Sequence, residues 1–477
     1  MNQKVAVSVV FVSAMFINIM DITIVNVALP TIGRELHTDP KALSAVAVGF
    51  LVALAVTIPA SGWLGDRFGL KRVLLTAIVL FTGASALCGA AQTFGQLVLF
   101  RVLQGAGGGM LTPVGMALLF RTFPPAERVR ASAILTLPTA FAPALGPVLG
   151  GLIVSDWSWR WAFFVNVPIG ALGLLFGLVY LQEPERHPAG GFDLLGFLLA
   201  GAGFALFMFG ISEGPHRGWS DPPILIGIFG GGTLIALLIR QQLTRTDPLL
   251  NLRLLSNRLL RTATSVIFFA AAAFLGSLFT ISLFFQEGLG LSPLASGLST
   301  FPEAAGVMVG SQVASRVLYP RIGARRLMLL GLTGLGLCML LLTQVDARSD
   351  LWWMRIVMFF IGYAISHNFV AAQATAFSEI SHADTARAST IFNALRQLGA
   401  ATGVAVLATV LSEVGPITVT NGKPVANLGA YHWSFAAATV LAWIGAAIAN
   451  SLRSDQELQG PPARQSAPSV EPIVVGS

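Results

Sequence analysis

Charged residues are what this chain has least of. Asp, Glu, Lys and Arg make up 11% of its 477 residues, against about 25% in an ordinary soluble protein. So few charges cannot cover a surface facing water, and an apolar content of 55% puts most of that surface against lipid. Cysteine is nearly absent: Cys88 and Cys338 both fall in apolar runs, without metal or redox spacing, and read as inert packing residues. No ten-residue alternating pattern runs through the chain, which excludes a membrane barrel. Helices are what remains, because every backbone polar group must be satisfied inside a membrane. Lys and Arg outnumber Asp and Glu by 29 to 22, yet they stand in short clusters between apolar runs. That pattern belongs to membrane topology rather than to nucleic-acid binding.

What the chain does contain is a series of about fourteen apolar runs, each of roughly spanning length. They lie near 5–29, 43–62, 73–91, 97–120, 131–154, 162–181, 194–211, 224–239, 263–285, 294–314, 327–342, 351–376, 388–411 and 434–448. The first is too long for a cleaved leader and lacks its small-residue cleavage site, so it is expected to stay as a span. With the N-terminus inside, twenty basic residues fall in inner segments and six in outer ones. Both termini are therefore expected to be cytoplasmic, in a multi-pass protein of the cell inner (plasma) membrane. Arg101, Arg355 and Arg396 are left inside spans.

Part of the sequence occurs twice. Arg67-Phe68-Gly69-Leu70-Lys71-Arg72 is matched by Arg321-Ile322-Gly323-Ala324-Arg325-Arg326, 254 positions on, and Arg101 by Arg355 at the same offset. Ala126-Glu127-Arg128-Val129-Arg130-Ala131-Ser132 is matched at 257 by Ala383-Asp384-Thr385-Ala386-Arg387-Ala388-Ser389. Such offsets imply two six-helix halves of like orientation, the parallel-repeat plan of secondary transporters. Residues 1–188 are expected to form one bundle, 189–243 two inserted membrane helices and 244–455 a second bundle. The polar, Pro-rich 456–477 reads as a disordered cytoplasmic tail. Alternation around Asn421-Gly422 predicts a small extracellular β-hairpin near 417–425.

Asp21 lies well inside the first run, where a charged carboxylate costs about 2.5–3.5 kcal/mol on insertion scales. An acid so placed is a functional candidate or a helix-orienting partner. Arg101 begins Arg101-Val102-Leu103-Gln104-Gly105-Ala106-Gly107-Gly108-Gly109, whose small residues permit close helix approach. Counted from the outer ends of their spans, the depths of Asp21 and Arg101 differ by only about 6 Å at 1.5 Å per residue. Pairing is therefore feasible. Glu303, in Phe301-Pro302-Glu303-Ala304, is a second membrane acid. It would attract a cationic substrate or carry a second proton, or it is simply an acid at a proline-broken helix end. Asn18, Asn26, Gln104, Asn166, His367, Asn368, Asn393 and Gln397 are candidates to line a cavity, or else bonds between helices. His367 has no companion at metal-ligand spacing, so no metal is assigned. Arg355 and Arg396 read as structural.

The order Gly62-Trp63-Leu64-Gly65-Asp66-Arg67-Phe68-Gly69-Leu70-Lys71-Arg72 resembles the signature loop of the major facilitator superfamily. Its second copy has Arg316 and Pro320 in place of Gly62 and Asp66, so an inner gate using Asp66 is expected to be asymmetric. Arg101-Val102-Leu103-Gln104-Gly105 is similar to the family's fourth-helix motif, which implies proton coupling through Asp21 and Arg101. Gly146-Pro147-Val148-Leu149-Gly150-Gly151 resembles the antiporter motif of the superfamily's exporters. With Asp21, Asn26 to Pro30 and the Trp159–Gly170 stretch, the chain resembles the 14-spanner drug:proton antiporters.

That resemblance implies an all-α polytopic fold of two six-helix bundles around a cavity, plus two inserted helices. The implied activity is export of a lipophilic, cationic compound in exchange for protons, with membrane lipids as surroundings, no other cofactor, no nucleic acid and a monomeric state. Gly62, Asp66, Arg67, Gly69, Arg72, Arg130, Gly146, Pro147, Gly150 and Gly151 would serve gating. No phosphate-binding loop and no Ser–His–acid arrangement occurs, so neither ATP-driven transport nor enzyme chemistry is expected. A lipid or fatty-acyl exporter would share every motif with Glu303 dispensable, and a proton-linked nutrient importer would lack the Gly146–Gly151 pattern.

Overall fold

The apolar runs are helical throughout the computed structural model, which describes residues 2–38, 43–124, 127–184, 190–346, 351–420 and 423–452. The tail at 456–477 and the turn residues Asn421 and Gly422 lie outside the described residues. The first part of the chain forms α1 (Gln3–Glu35), α2 (Ser44–Phe68), α3 (Leu70–Ala90), α4 (Phe94–Thr122), α5 (Arg128–Asp156), α6 (Trp161–Phe164) and α7 (Asn166–Tyr180). The expected insert holds α8 (Leu194–Arg217), α9 (Pro222–Leu225) and α10 (Gly231–Thr244). Then follow α11 (Arg258–Leu283), α12 (Pro293–Val313), α13 (Tyr319–Leu342), α14 (Leu351–Phe377), α15 (Thr385–Val414) and α16 (Leu428–Asn450). Several starts carry a side-chain cap: Asn2, Thr93, Asp193, Asn257 and Ser292 each accept from a free N–H of the first turn.

Twelve stretches of described residues are long and apolar enough to cross a membrane. One of them, Ala295–Leu342, changes direction at Gly323, where φ is 75°. Gly69, at the matching place in the first copy of the signature loop, has φ 98° and separates α2 from α3. Both turns use a backbone region that side chains disfavour, so the recurrence of glycine has a conformational cause. Strands β1 (Ile417–Thr420) and β2 (Lys423–Ala426) pair antiparallel, Thr420 opposite Lys423.

The same packing recurs in the two parts of the chain. α4 packs on α2 and α3 as α14 packs on α12 and α13, and α1 meets α5 and α7 as α11 meets α15 and α16. Between the parts, α5 lies against α12 and α14, while α2 and α4 lie against α15. α8 covers the α2–α15 seam and packs back on α10.

Asp193 ties the insert down. It accepts from Gly196 N–H, from the Gln241 amide at 3.0 Å and from Gln242 at 2.6 Å, with Arg245 at 3.5 Å. Burial pushes its carboxyl up, but those three donors and Arg245 together hold it below the usual carboxylate range.

Candidate functional site

Side chains of α4 and α7 converge on Asp21, which is wholly buried in α1. Arg101 and Gln104, three positions apart on α4, share one helix face and both reach it. Asn166, the first residue of α7, projects from just after the break between α6 and α7. Arg101 donates to one carboxylate oxygen, while the amides of Gln104 and Asn166 donate to the other, each at 2.9 Å. Arg101 also donates to Gln104 Oε1 at 2.8 Å and to the Val46 carbonyl at 3.2 Å, and its guanidinium lies 4.3 Å from the Phe50 ring centre. Asn166 further donates to Ser85 of α3. The carboxylate thus holds three N–H donors and one full counter-charge away from water. Such a pair is geometrically specific, and removing one partner leaves a buried charge at a cost of about 3–5 kcal/mol. A proton arriving on Asp21 would remove the charge that holds Arg101.

Two glycine contacts set this geometry. A Cβ on Gly105 would collide with the Phe50 carbonyl, so α4 sits backbone-close on α2, one turn from Arg101. A Cβ on Gly146 would collide with Thr23, two residues beyond Asp21. Gly150 follows one turn on, close to Ile24 and Val27, whereas Gly151 faces open space. The partner of the Gly146–Gly151 stretch is therefore α1, the helix that carries Asp21. The side chain of Pro147 lies outside the described residues, as does that of Asn26.

A second polar group joins the two parts of the chain at the end where Gly69 and Gly323 turn. Asp66 accepts from Arg121 of α4 at 2.9 Å and lies 3.7 Å from Arg387 of α15. Ser61 meets Thr390 at 3.3 Å, Ser389 donates to the Pro113 carbonyl at 2.7 Å, and Phe120 stacks on Phe377. Gly62 is part of this seam: a Cβ there would stand 2.7 Å from Thr390 Oγ1. The link is one-sided, since Pro320 stands where the second copy would need an acid. Arg67, Arg72 and Arg130 are exposed and form no ion pair among the described residues. Arg121 and Arg387 belong to the twenty basic residues of the inner segments, and nothing in the sequence singled them out as partners of Asp66. Glu183 was missed as well: its carboxylate accepts from the N–H groups of Lys71 and Arg72 and caps α3.

The remaining candidates stand apart. Glu303 is buried in α12 with Oε1 unpartnered, its backbone pressed against Gly362 of α14. His367 bonds the Tyr363 carbonyl and packs on the Tyr363 ring, while both amide atoms of Asn368 lack a partner among the described residues. Asn18 Oδ1 is likewise unpartnered and faces Gly108. Among the described residues, no hydrogen bond joins Glu303, His367 or Asn368 to the Asp21 cluster. A cavity of about 30 Å³ lies elsewhere, between α1, α4, α14 and α15, lined by Phe11, Met15, Thr112, Met116, Phe369, Gln373, Phe392, Asn393 and Arg396. Of the residues singled out from sequence as cavity candidates, Asn393 alone lines it. Asn393 and Arg396 are three apart, and that spacing was the available signal. Gln397 lines a smaller gap under α8.

The family described as Major Facilitator Superfamily matches residues 11–404. The "Multidrug resistance protein B homolog" of Mycobacterium tuberculosis is 32% identical over 371 residues, 76% of this chain and 68% of that protein. The "Putative multidrug resistance protein MdtD" of Salmonella typhimurium is 33% identical over 397 residues, covering 81% of this chain and 82% of the relative. Two solved structures share the fold. The human organic anion transporter MFSD10 (TETRAN) has TM-score 0.67 at 17% identity, over 94% of this chain and all of that one. The proton:xylose symporter XylE has TM-score 0.62 at 15% identity, over 93% and 95%.

Proposed function

Because the chain belongs to the Major Facilitator Superfamily, and so is a multi-span membrane protein, we propose that it exports lipophilic drug-like compounds, cationic ones among them, in exchange for protons. The observation that carries the reading is the Asp21 cluster: one buried carboxylate whose partners come from α4 and α7 through a single counter-charge and two amides, with Asn166 anchored in turn on Ser85 of α3. A proton from outside neutralises Asp21 and frees Arg101. Loss of that proton inward restores the pair. α1 carries the change to α5 through the contacts at Gly146 and Gly150, and α5 carries it across to α12 and α14. The Asp66–Arg121–Arg387 group holds the inner end shut while the outer end exchanges protons. Glu303 is the acid available to a cationic substrate. The names of the two multidrug-resistance relatives support export as the direction.

The same proposal takes fourteen spans in two bundles plus an insert, a monomer, and both termini in the cytoplasm. The test is transport of a lipophilic cationic dye by reconstituted vesicles under an imposed pH gradient, with and without an uncoupler. Asp21→Asn is expected to abolish gradient-driven export while leaving dye binding. Wild-type export by Asp21→Asn would sink the assignment, and gradient-driven uptake into whole cells would favour an importer.

A further inference from the structure

Three arginines, Arg101, Arg355 and Arg396, lie inside the apolar runs, and of these Arg101 alone has a carboxylate partner among the described residues. Arg101 is held by Asp21, Gln104, the Val46 carbonyl and the Phe50 ring. Arg355 lies near the start of α14 with its guanidinium 4.8 Å from the centre of the Trp352 ring and its buried Nε unpartnered among the described residues. Arg396 has no counter-charge either and stands deeper in its helix than Arg355 does. Its one recorded hydrogen bond runs to Asn393 Oδ1 at 3.5 Å, a long contact, and no carboxylate pairs with it among the described residues. It stands eleven positions into the thirty-residue α15, roughly 17 Å from that helix end. That is too far for the side chain to reach a lipid headgroup. An intramembrane arginine must face protein or a polar cavity, and this one lines the cavity where α1 and α4 meet α14 and α15.

The rest of the lining gives that charge a context. Gln373, from α14, also lines the cavity and has its Oε1 unpartnered among the described residues. Phe11, Met15, Met116 and Phe392 supply apolar and polarisable walls. A guanidinium offers a planar fork of five donors that matches a carboxylate in two parallel hydrogen bonds. At about 30 Å³ the present cavity holds little more than small polar groups, so an apolar body gains space along these walls only as the two parts of the chain separate. Its walls come from both parts of the chain, so a bound molecule touches both as they separate.

We propose that Arg396, assisted by Gln373, binds the acidic head of an amphiphilic substrate whose apolar body lies along Phe11, Met15, Met116 and Phe392. The site extends the export reading, on which its role in transport rests, to compounds of the charge opposite to those Glu303 would attract. Equilibrium binding to the full-length protein in lipid nanodiscs tests it with three matched probes: pyrenebutyric acid, pyrenebutanol and a pyrenebutyl-trimethylammonium salt, each corrected with protein-free discs. Wild type is expected to bind the acid about tenfold tighter than the alcohol, as one charge-assisted contact of about 1.4 kcal/mol provides. Arg396→Gln is expected to bind acid and alcohol alike with the alcohol unchanged, and Arg396→Lys to keep most of the preference. The proposal is overturned if wild type shows no preference, if Arg396→Gln keeps it, or if all three probes weaken together. Loss of the preference in Arg396→Gln upholds the site even where wild-type vesicles show no proton-driven export, a result that would count against the export reading alone.

Discussion

The Asp21–Arg101 pair makes a quantitative prediction through a double-mutant cycle. In Asp21→Asn the new amide presents one carbonyl oxygen to three converging donors from Arg101, Gln104 and Asn166. That oxygen has two lone pairs, so one donor is left facing an N–H group, and the Arg101 charge loses its counter-charge. The expected cost is about 3–5 kcal/mol. Arg101→Met leaves a buried carboxylate with two neutral donors, at a similar cost of about 3–5 kcal/mol. With both charges gone neither penalty is complete, so the double variant should be more stable than the sum of the singles predicts, by about 2–3 kcal/mol. Unfolding free energies from denaturant titration of the detergent-solubilised protein measure the cycle. Single-variant costs that add to within about 0.5 kcal/mol would show that the two side chains do not depend on one another, and the coupling argument would fail.

Other expectations follow from the same geometry. Gly105→Ala should lower stability by at least about 2 kcal/mol, because backbone rather than a movable side chain opposes the new methyl. Gly151→Ala faces open space and should be neutral or stabilising by up to about 1 kcal/mol, and matched unfolding curves compare the two. Asp66→Asn should loosen the closed end, slowing disulfide formation in a Ser61→Cys/Thr390→Cys background by about fivefold or more. An unchanged rate would remove Asp66 from the gate. Asp193 has its folded pKa held down, so its contribution is fully present above its unfolded value of about 3.9 and is lost as pH falls through the lower folded value. The melting-temperature gap between wild type and Asp193→Asn should therefore be constant near neutrality and shrink in acid below about pH 4.

Much of the architecture was readable before any coordinates. Scarce charge and long apolar runs determine helices in a membrane, since nothing else satisfies a backbone in lipid. The offset of 254 between the two signature loops has a counterpart in the turns at Gly69 and Gly323, because a glycine-only backbone conformation leaves its mark in one residue. Asp21 was conspicuous for the same kind of reason: one acid in an apolar run is costly, and a matching arginine at similar depth narrows the partner. Partner choice elsewhere was not readable. Asp66 stands next to Arg67 and near Arg72 in sequence, yet pairs with Arg121 and Arg387. That Arg396 lines a cavity was not readable either.

The physical reason lies in how helices are oriented within lipid. In water, an apolar stripe tells which face of a helix turns inward. In a membrane the lipid-facing and protein-facing sides are equally apolar, so hydropathy leaves the rotation of each helix about its axis undetermined. Sequence alone determined that this chain crosses the membrane repeatedly, that it contains a repeat, and that the one acid in its first apolar run has an arginine at similar depth in its fourth. Packing of backbone against glycine, and of one half against the other, decided which arginines meet Asp66 and which one is left facing the cavity between the halves.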